Sequence, residues 1–331
     1  MEVINNLLIC PACHNENLSL VDNELNCLNC DNYYHIKDNI PLMFLPNEWN
    51  NSKYDVTEIV NKFYNQTPFP NYEDMEDINS LIKKSERGYY GKFLNKQIPF
   101  NVNILEVGCG TGQLANFLGL ASRNVFGTDI CFNSLQLAEK FRFKNNITNT
   151  KFYQMNLFKP IFPEKSFHLV ICQGVLHHTS DPYLGFQSIC KLVKNRGYII
   201  IGLYNKYGRI ITDIRRFLFN VIGDNFKFLD PRLRNKDMGE SKRIAWFKDQ
   251  YKHPHESKHT IGEVLKWLDL NNFEFVNAIP KVKSFSPVTI NEKLVQFNSK
   301  GNFIDHFIVQ ISSMVNGYKE GGLFIIIGKK K

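Results

Sequence analysis

The chain changes its hydrophobic period along its length, and those changes divide it. Between 102 and 204, short apolar runs alternate with segments of helical period. Runs at 104–107, 124–128, 151–154, 167–172 and 198–203 have strand length. The run at 167–172 is fully apolar after His168, as a strand buried on both faces requires. Helical patterns fill 114–120, 132–145 and 183–194. Strands alternating with helices predict an α/β fold, a parallel sheet covered by helices on both faces.

Outside that block the pattern differs. Short strands at 18–21, 24–28 and 33–36 predict a small N-terminal unit over 1–46. Residues 47–98 read as a polar linker and helical segments, with Phe63, Tyr64, Pro68, Phe69, Pro70 and Tyr72 forming a stiff aromatic stretch. That stretch is either a strap packed on the main domain or a lid with Tyr64 or Tyr72 facing a ligand. In 205–259, Ile210, Ile211, Ile214, Phe217, Leu218, Val221 and Ile222 share one helical face, with Arg209, Arg215 and Arg216 between them. A helix over 261–270, a strand over 273–278, a helix near 303–316 and a strand over 323–327 close the chain. The expected units are 1–46, 47–98, 99–204, 205–259 and 260–331.

Composition adds one asymmetry. The formal charge is +8, and 205–259 holds thirteen Lys and Arg against seven acids. Such an excess suits an anionic partner or a well-solvated insertion. No stretch approaches the roughly 18–20 apolar residues of a membrane helix. The start at Met1 lacks a basic, then apolar leader, so a cytoplasmic protein with no membrane partner is expected.

Two Cys-x-x-Cys knuckles, Cys10/Cys13 and Cys27/Cys30, stand thirteen residues apart. Four thiolates at that spacing fit a structural, tetrahedral zinc site, which would stabilise a unit too small to bury its own core. The run after Cys30, from Tyr33 to Met43, resembles the zinc-ribbon activator proteins that partner tRNA and translation-factor methyltransferases. Cys109, Cys131, Cys172 and Cys190 sit among apolar residues and read as buried small hydrophobes.

The main block turns on one loop. After the run at 104–107 come Gly108, Gly110 and Gly112 at alternate positions, and a helix starts at 114. Glycines between a strand and a helix let backbone N–H groups approach a ligand. The third glycine comes one residue earlier than in a dinucleotide fingerprint, and Glu106 precedes the first. A carboxylate there would repel a pyrophosphate and suits a ligand with an ammonium and a sulfonium. Asp129, about twenty residues on at the tip of the next strand, is placed for ribose hydroxyls. With the segment from Gln173 through Gly174-Val-Leu-His-His to Asp181-Pro182, and Gly202-Leu-Tyr-Asn, these features resemble class I S-adenosylmethionine (SAM) methyltransferases, of a bacterial type 11/12-like branch.

The resemblance implies a Rossmann-like sheet of seven strands, the last antiparallel. It implies SAM held by Glu106, Gly108, Gly110, Gly112, Asp129, Asn156 and Gln173. Asn156 stands where the family usually has an acid for the adenine amine. His177 and His178 follow the fourth strand and are candidates for general base, or for one ring stacking on the adenosine and the other packing on a helix. Tyr64, Tyr204, Arg209 and His255 are candidate acceptor contacts. The cluster His253, His255, Glu256 and His259 is a pocket wall or a metal site, although Pro254 breaks any helical ligand spacing. No Asn-Pro-Pro-Tyr, Asp-Pro-Pro-Tyr or Pro-Cys follows the fourth strand, which disfavours exocyclic base amines and carbon-5 of pyrimidines.

Three functions fit: a methyltransferase for a small, anionic or compact O, S or N acceptor; an RNA methyltransferase gripping phosphates through ribbon and basic insertion; and a SAM-binding regulator without turnover.

Overall fold

The computed structural model describes residues 7–49, 54–70, 72, 75–235, 238–316 and 321–331. The start of the chain at Met1, Asn71 in the aromatic stretch, and Lys236 and Asp237 in the basic segment lie outside the described residues.

Four short strands, β1 (Leu18–Val21), β2 (Glu24–Cys27), β3 (Tyr33–Lys37) and β4 (Ile40–Pro41), make an antiparallel ribbon. Asp22, Asn23, Asp38 and Asn39 take positive φ at its tight turns, where short polar side chains tolerate that region. The four knuckle sulfurs lie within 4.8 Å of one another at the closed end. Three helices follow: α1 (Thr57–Gln66), α2 (Ile78–Ser85) and α3 (Tyr89–Gln97).

The main sheet has seven strands, β5 (Asn103–Val107), β6 (Asn124–Asp129), β7 (Thr150–Gln154), β8 (Phe167–Gln173), β9 (Val193–Tyr204), β10 (Phe273–Ile279) and β11 (Leu323–Lys330). Their order is β10-β11-β9-β8-β5-β6-β7, and β11 alone runs against its neighbours. Helices α4 (Gln113–Gly119), α5 (Phe132–Lys144) and α6 (Pro182–Cys190) make the crossovers, and α9 (Ile261–Leu270) and α10 (Phe303–Asn316) accompany the last two strands. Asp181 caps α6 by accepting from Leu184 N at 2.9 Å, and Thr260 with Glu263 forms a capping box on α9. Among the described residues no helix is long and apolar enough to cross a membrane.

The Rossmann-like sheet with its reversed last strand agrees with expectation, and the ribbon agrees with the N-terminal pattern. One segment differs. The stretch read as helix to 194 stops at Cys190, and the strand expected from 198 begins at Val193 and runs twelve residues. Arg196 at φ 62° and Gly197 lie inside that strand, so a turn-like dipeptide marks an irregular strand start rather than a boundary.

The ribbon sits against the β7 edge. Leu42 bridges Gln154 in parallel, Met43 N donates to Gln154 O at 3.1 Å, and Ile9 N donates to Ile161 O at 2.8 Å. Cys10, Leu25, Tyr34 and Met43 share one hydrophobic cluster with Leu105, Tyr153 and Phe162. The segment 205–259 forms α7 (Ile210–Ile222), a 3-10 turn (Asp224–Leu229) and α8 (Glu240–Tyr251), around a small cluster of Phe219, Leu233, Phe247 and Tyr251.

Met43 is fully buried where ribbon meets sheet. Met43→Ala is therefore expected to cost about 2–5 kcal/mol in denaturant unfolding, whereas Leu28→Ala, at a 69% exposed ribbon position, changes it little.

Candidate functional site

Strand order reverses between β5 and β8, so a crevice opens at their C-terminal ends, where open parallel sheets bind ligands. The glycine loop fills that position. Gly108, Gly110 and Gly112 have φ of 69°, 53° and 70°, a region L side chains rarely enter. At Gly110 a Cβ would also stand 2.3 Å from Phe69 O, so the loop and the aromatic strap require each other. Tyr72 Oη donates to Thr111 O at 2.7 Å, and Thr111 Oγ1 donates to Pro70 O. The strap is thus fastened across the loop.

A cavity of about 610 Å³ lies beneath. Glu106, Gly108, Gly110, Asp129, Asn156 and Gln173 line one part; Tyr64, Tyr204, Trp246, Asp249, Gln250 and His178 line another. Gly112 is not among the lining residues: a Cβ there would meet Ala138 and Phe152 at 2.6 Å, so its role is packing beneath the loop.

Glu106 Oε2 is buried with no hydrogen-bond partner among the described residues. Burial, and secondarily the charge of Asp129, pushes this carboxyl up to about 8, although a backbone bond from Ala115 pulls the other way. An orphaned buried acceptor beside a glycine loop is a fit for a ligand's ammonium group. Asp129 accepts from Gly110 N and Cys131 N, both at 2.8 Å; burial raises it, and these amides oppose the rise. Each of its oxygens retains a lone pair for a hydroxyl donor. Gln173 Nε2 donates to Tyr90 Oη. Asn156 is anchored by the chain: its Nδ2 donates to Leu45 O at 2.8 Å and Asn47 Oδ1 at 2.7 Å, and its Oδ1, the atom expected to meet the adenine amine, accepts from Phe158 N at 3.1 Å and keeps a second lone pair. It joins the linker to the cavity wall.

The two histidines separate. His177 is fully buried and does not line the cavity. Its ring stacks on Tyr204 at 3.9 Å, and its Nδ1 accepts from Tyr204 N at 3.3 Å. His178 does line it. His178 Nδ1 lies 2.8 Å from His255 O; a carbonyl only accepts, so the proton is on Nδ1 and the Nε2 lone pair is left for a ligand. Burial, reinforced by neighbouring His177 and His253, holds this ring well below the usual histidine range, hence neutral at pH 7.

Arg209 and His255 lie behind the wall rather than on it. Arg209 is fully buried, 3.9 Å over the Tyr204 ring, and its guanidinium is occupied by Glu256, Gln250 and Gly321 O. His255 Nε2 donates to Thr179 O at 3.1 Å, and its own carbonyl sets His178. The cluster around Pro254 does not line the cavity and stands behind its wall: Glu256 is paired with Arg209 and Arg216, and the only metal-competent group among the described residues is the four cysteines.

Sequence reasoning missed Asp249, Gln250 and Tyr90. Asp249 is buried; it accepts from Tyr64 Oη at 3.1 Å and Gln250 Nε2 at 2.8 Å, and Gln250 Nε2 also donates to Tyr204 Oη at 3.0 Å. Burial raises this carboxyl. The signal was available: Trp246, Asp249, Gln250 and His253 recur at helical spacing, an acid within a band of aromatic and polar residues.

A seven-stranded sheet of this order, with a glycine loop, an orphaned acid before it and a second acid at the next strand tip, is the frame of a class I SAM-dependent methyltransferase domain. Residues 105–201 match the family model of a methyltransferase domain. Relatives agree. An uncharacterised Synechococcus protein is 25% identical over 250 residues, 67% of this chain and 60% of that one. A ubiquinone biosynthesis O-methyltransferase of Vibrio cholerae is 28% identical over 149 residues, 44% of this chain and 53% of the enzyme. This chain thus spans between half and three fifths of the curated relatives' length. The fold is also that of PKMT2 from Rickettsia typhi in complex with AdoHcy, at TM-score 0.51 and 13% identity over 73% of this chain and 52% of that one.

The orphaned Glu106 generates a pH dependence. Its folded pKa is raised to about 8, so without ligand the carboxyl is protonated below that pH. An ammonium-bearing ligand needs the carboxylate, so binding expels a proton. Affinity for S-adenosylhomocysteine, measured calorimetrically, is expected to rise with pH by up to about ten-fold per unit below pH 8 and to flatten above it. In Glu106→Gln that slope disappears and affinity falls.

Proposed function

We propose that this chain is a SAM-dependent methyltransferase for a small-molecule acceptor enclosed between the strap and the basic insertion. The observation that carries this reading is the continuity of one cavity from the Glu106–Asp129 cradle to the Tyr64, Tyr204, Trp246 and Asp249 wall. Glu106 would take the amino-acid ammonium of SAM, the 108–110 backbone its close approach, and Asp129 its ribose. Bound there, SAM supplies an electrophilic methyl group on a sulfonium. The protein then has only to orient the acceptor, exclude water and take its proton.

His178 is the residue we assign to that proton. Its Nε2 lone pair is fixed by the His255 carbonyl, and its ring is neutral at pH 7. His177 holds Tyr204 in place and acts as a positioning residue. Asp249, braced by Tyr64 and Gln250, would accept a hydrogen bond from an acceptor hydroxyl or amine. With this carboxyl on the wall, a compact acceptor bearing a hydrogen-bond donor is preferred over a purely anionic one. The relatives named for O-methylation in ubiquinone biosynthesis make an oxygen acceptor the first to test.

The four cysteines we assign to structural zinc. With Zn–S near ~2.3 Å, tetrahedral sulfurs stand ~3.8 Å apart; Cys10 to Cys30 is 3.6 Å and Cys13 to Cys27 is 3.5 Å.

Three experiments test these assignments. Cell extract is incubated with the protein and methyl-labelled SAM, then fractionated. Label in the low-mass fraction is expected; nuclease-sensitive label in RNA would overturn the small-molecule reading, and no label with intact SAM binding would leave a regulator. Once the acceptor is isolated, His178→Gln is expected to lower kcat by about 10²-fold or more without changing S-adenosylhomocysteine affinity; unchanged kcat removes the base assignment. Metal analysis of undenatured protein is expected to find one zinc per chain, lost in Cys27→Ser together with thermal stability; a metal-free wild type would remove the zinc.

A further inference from the structure

The cavity lining is uneven in charge. Its acids are Glu106, Asp129 and Asp249, and its cations are Lys84 and Arg232. Lys84 belongs to the glycine-loop end: its Nζ donates to Gln113 Oε1 at 3.0 Å, at the start of α4. Arg232 stands on the opposite wall, with its guanidinium carbon 4.2 Å over the ring of Trp246. Neither the cofactor contacts nor the proton transfer assigned above needs it.

The fold fixes the ground beneath Arg232. Buried Asp230 accepts from Arg232 N at 2.8 Å, from Trp246 Nε1 at 3.0 Å and from Tyr251 Oη at 2.9 Å. One acid thus holds both the indole and the backbone that carries the guanidinium. An arginine packed on an aromatic ring keeps its donors in the guanidinium plane, where a carboxylate or phosphate is met by two parallel bonds. Arg232 is half-buried, so its charge acts through less water than at an open surface.

Asp249 is the opposite pole. Trp246 and Asp249 lie three residues apart on α8, which places their Cβ atoms ~5–6 Å apart on one face. Asp249 suits a hydrogen-bond donor and repels an anion; Arg232 does the reverse. A molecule that spans both is oriented end for end, with its donor towards Asp249 and His178.

We propose that the methyl acceptor is a compact molecule carrying a carboxylate or phosphate read by Arg232 and a hydroxyl or amine directed at Asp249. Arg232 is then a specificity-determining residue. This inference rests on the small-molecule reading above and narrows it to one substrate class. An uncharged acceptor would strip water from the guanidinium and return no charge to it.

The test starts from the low-mass product labelled in extract, freed of unused SAM. That product is expected to be retained on an anion exchanger at pH 7. Retention lost after phosphatase treatment assigns a phosphate, and retention kept assigns a carboxylate. A product that is not retained before treatment overturns the proposal, whereas no low-mass label at all overturns the small-molecule function itself. With the isolated acceptor, Arg232→Gln is expected to raise KM about ten-fold or more while kcat stays within about three-fold. Arg232→Lys should recover part of that loss, and S-adenosylhomocysteine affinity, unchanged in both variants, controls for folding. Esterifying the acceptor's anion should raise KM on the wild type by a similar factor, and the ester should be indifferent to Arg232→Gln. A KM that ignores the substitution would overturn the proposal. So would an ester used by the wild type as well as the free anion, a result that holds even if the variants do not fold.

Discussion

The part of the cavity wall from Tyr204 to Asp249 hangs on a buried ion pair. Arg209 and Glu256 have side chains 0% and 2% exposed and meet at 2.5 Å. Such a pair contributes little net stability, because desolvation offsets attraction, but breaking it costs about 3–5 kcal/mol through the charge left unpaired. Here the pair is satisfied in full: Arg209 also bonds Gln250 and Gly321 O, and Glu256 also takes Arg216. Four separate parts of the chain therefore converge on one guanidinium: the end of β9, helix α8, the 253–259 segment and the turn before β11. Tyr204 is sandwiched between Arg209 and His177. Gln250 is held where it can brace Asp249, and the 253–259 segment is held where the His255 carbonyl can orient His178. That wall is braced because a charge that cannot be left alone sits behind it.

The glycine-loop side of the cavity is built on different physics. Its positions are set by backbone: three glycines in the left-handed region, a strand tip, and amides that point at Asp129. That is why it was legible in the sequence. A glycine loop between strand and helix constrains conformation locally, and Glu106 and Asp129 stand at fixed offsets from it. The sheet was legible for the same reason, since each strand announces itself by a local apolar run. The ribbon strands and the cysteine cluster were legible from turn residues and ligand spacing.

The wall from Tyr204 to Asp249 was harder because nothing local defines it. Arg209 reads in sequence as a surface cation in a basic stretch, and only the fold reveals a counter-charge forty-seven residues away. Asp249 reads as one of seven acids in that stretch and becomes singular only when packing removes it from water. Asn156 kept its predicted neighbourhood, yet its amide was claimed by Leu45 and Asn47, partners no spacing rule could supply. The turn expected at Arg196-Gly197 was drawn from dipeptide chemistry, and the sheet absorbed it.

The ribbon's position has a consequence for the behaviour of the protein in a crowded solution. A sheet of seven strands has two edges, and each is a row of amides that another chain can copy and extend. One edge strand, β7, is covered where Leu42 and Met43 bond Gln154. The other, β10, is irregular between Phe275 and Asn277, and Asn298 N is bonded to Val276 O alongside it. Both outer strands are thus partly occupied or distorted by the chain's own segments, a way in which sheets blunt their edges. Seen this way, the N-terminal ribbon is also a stopper on a polymerisable edge, and a chain that lost it would be at risk of templating copies of itself.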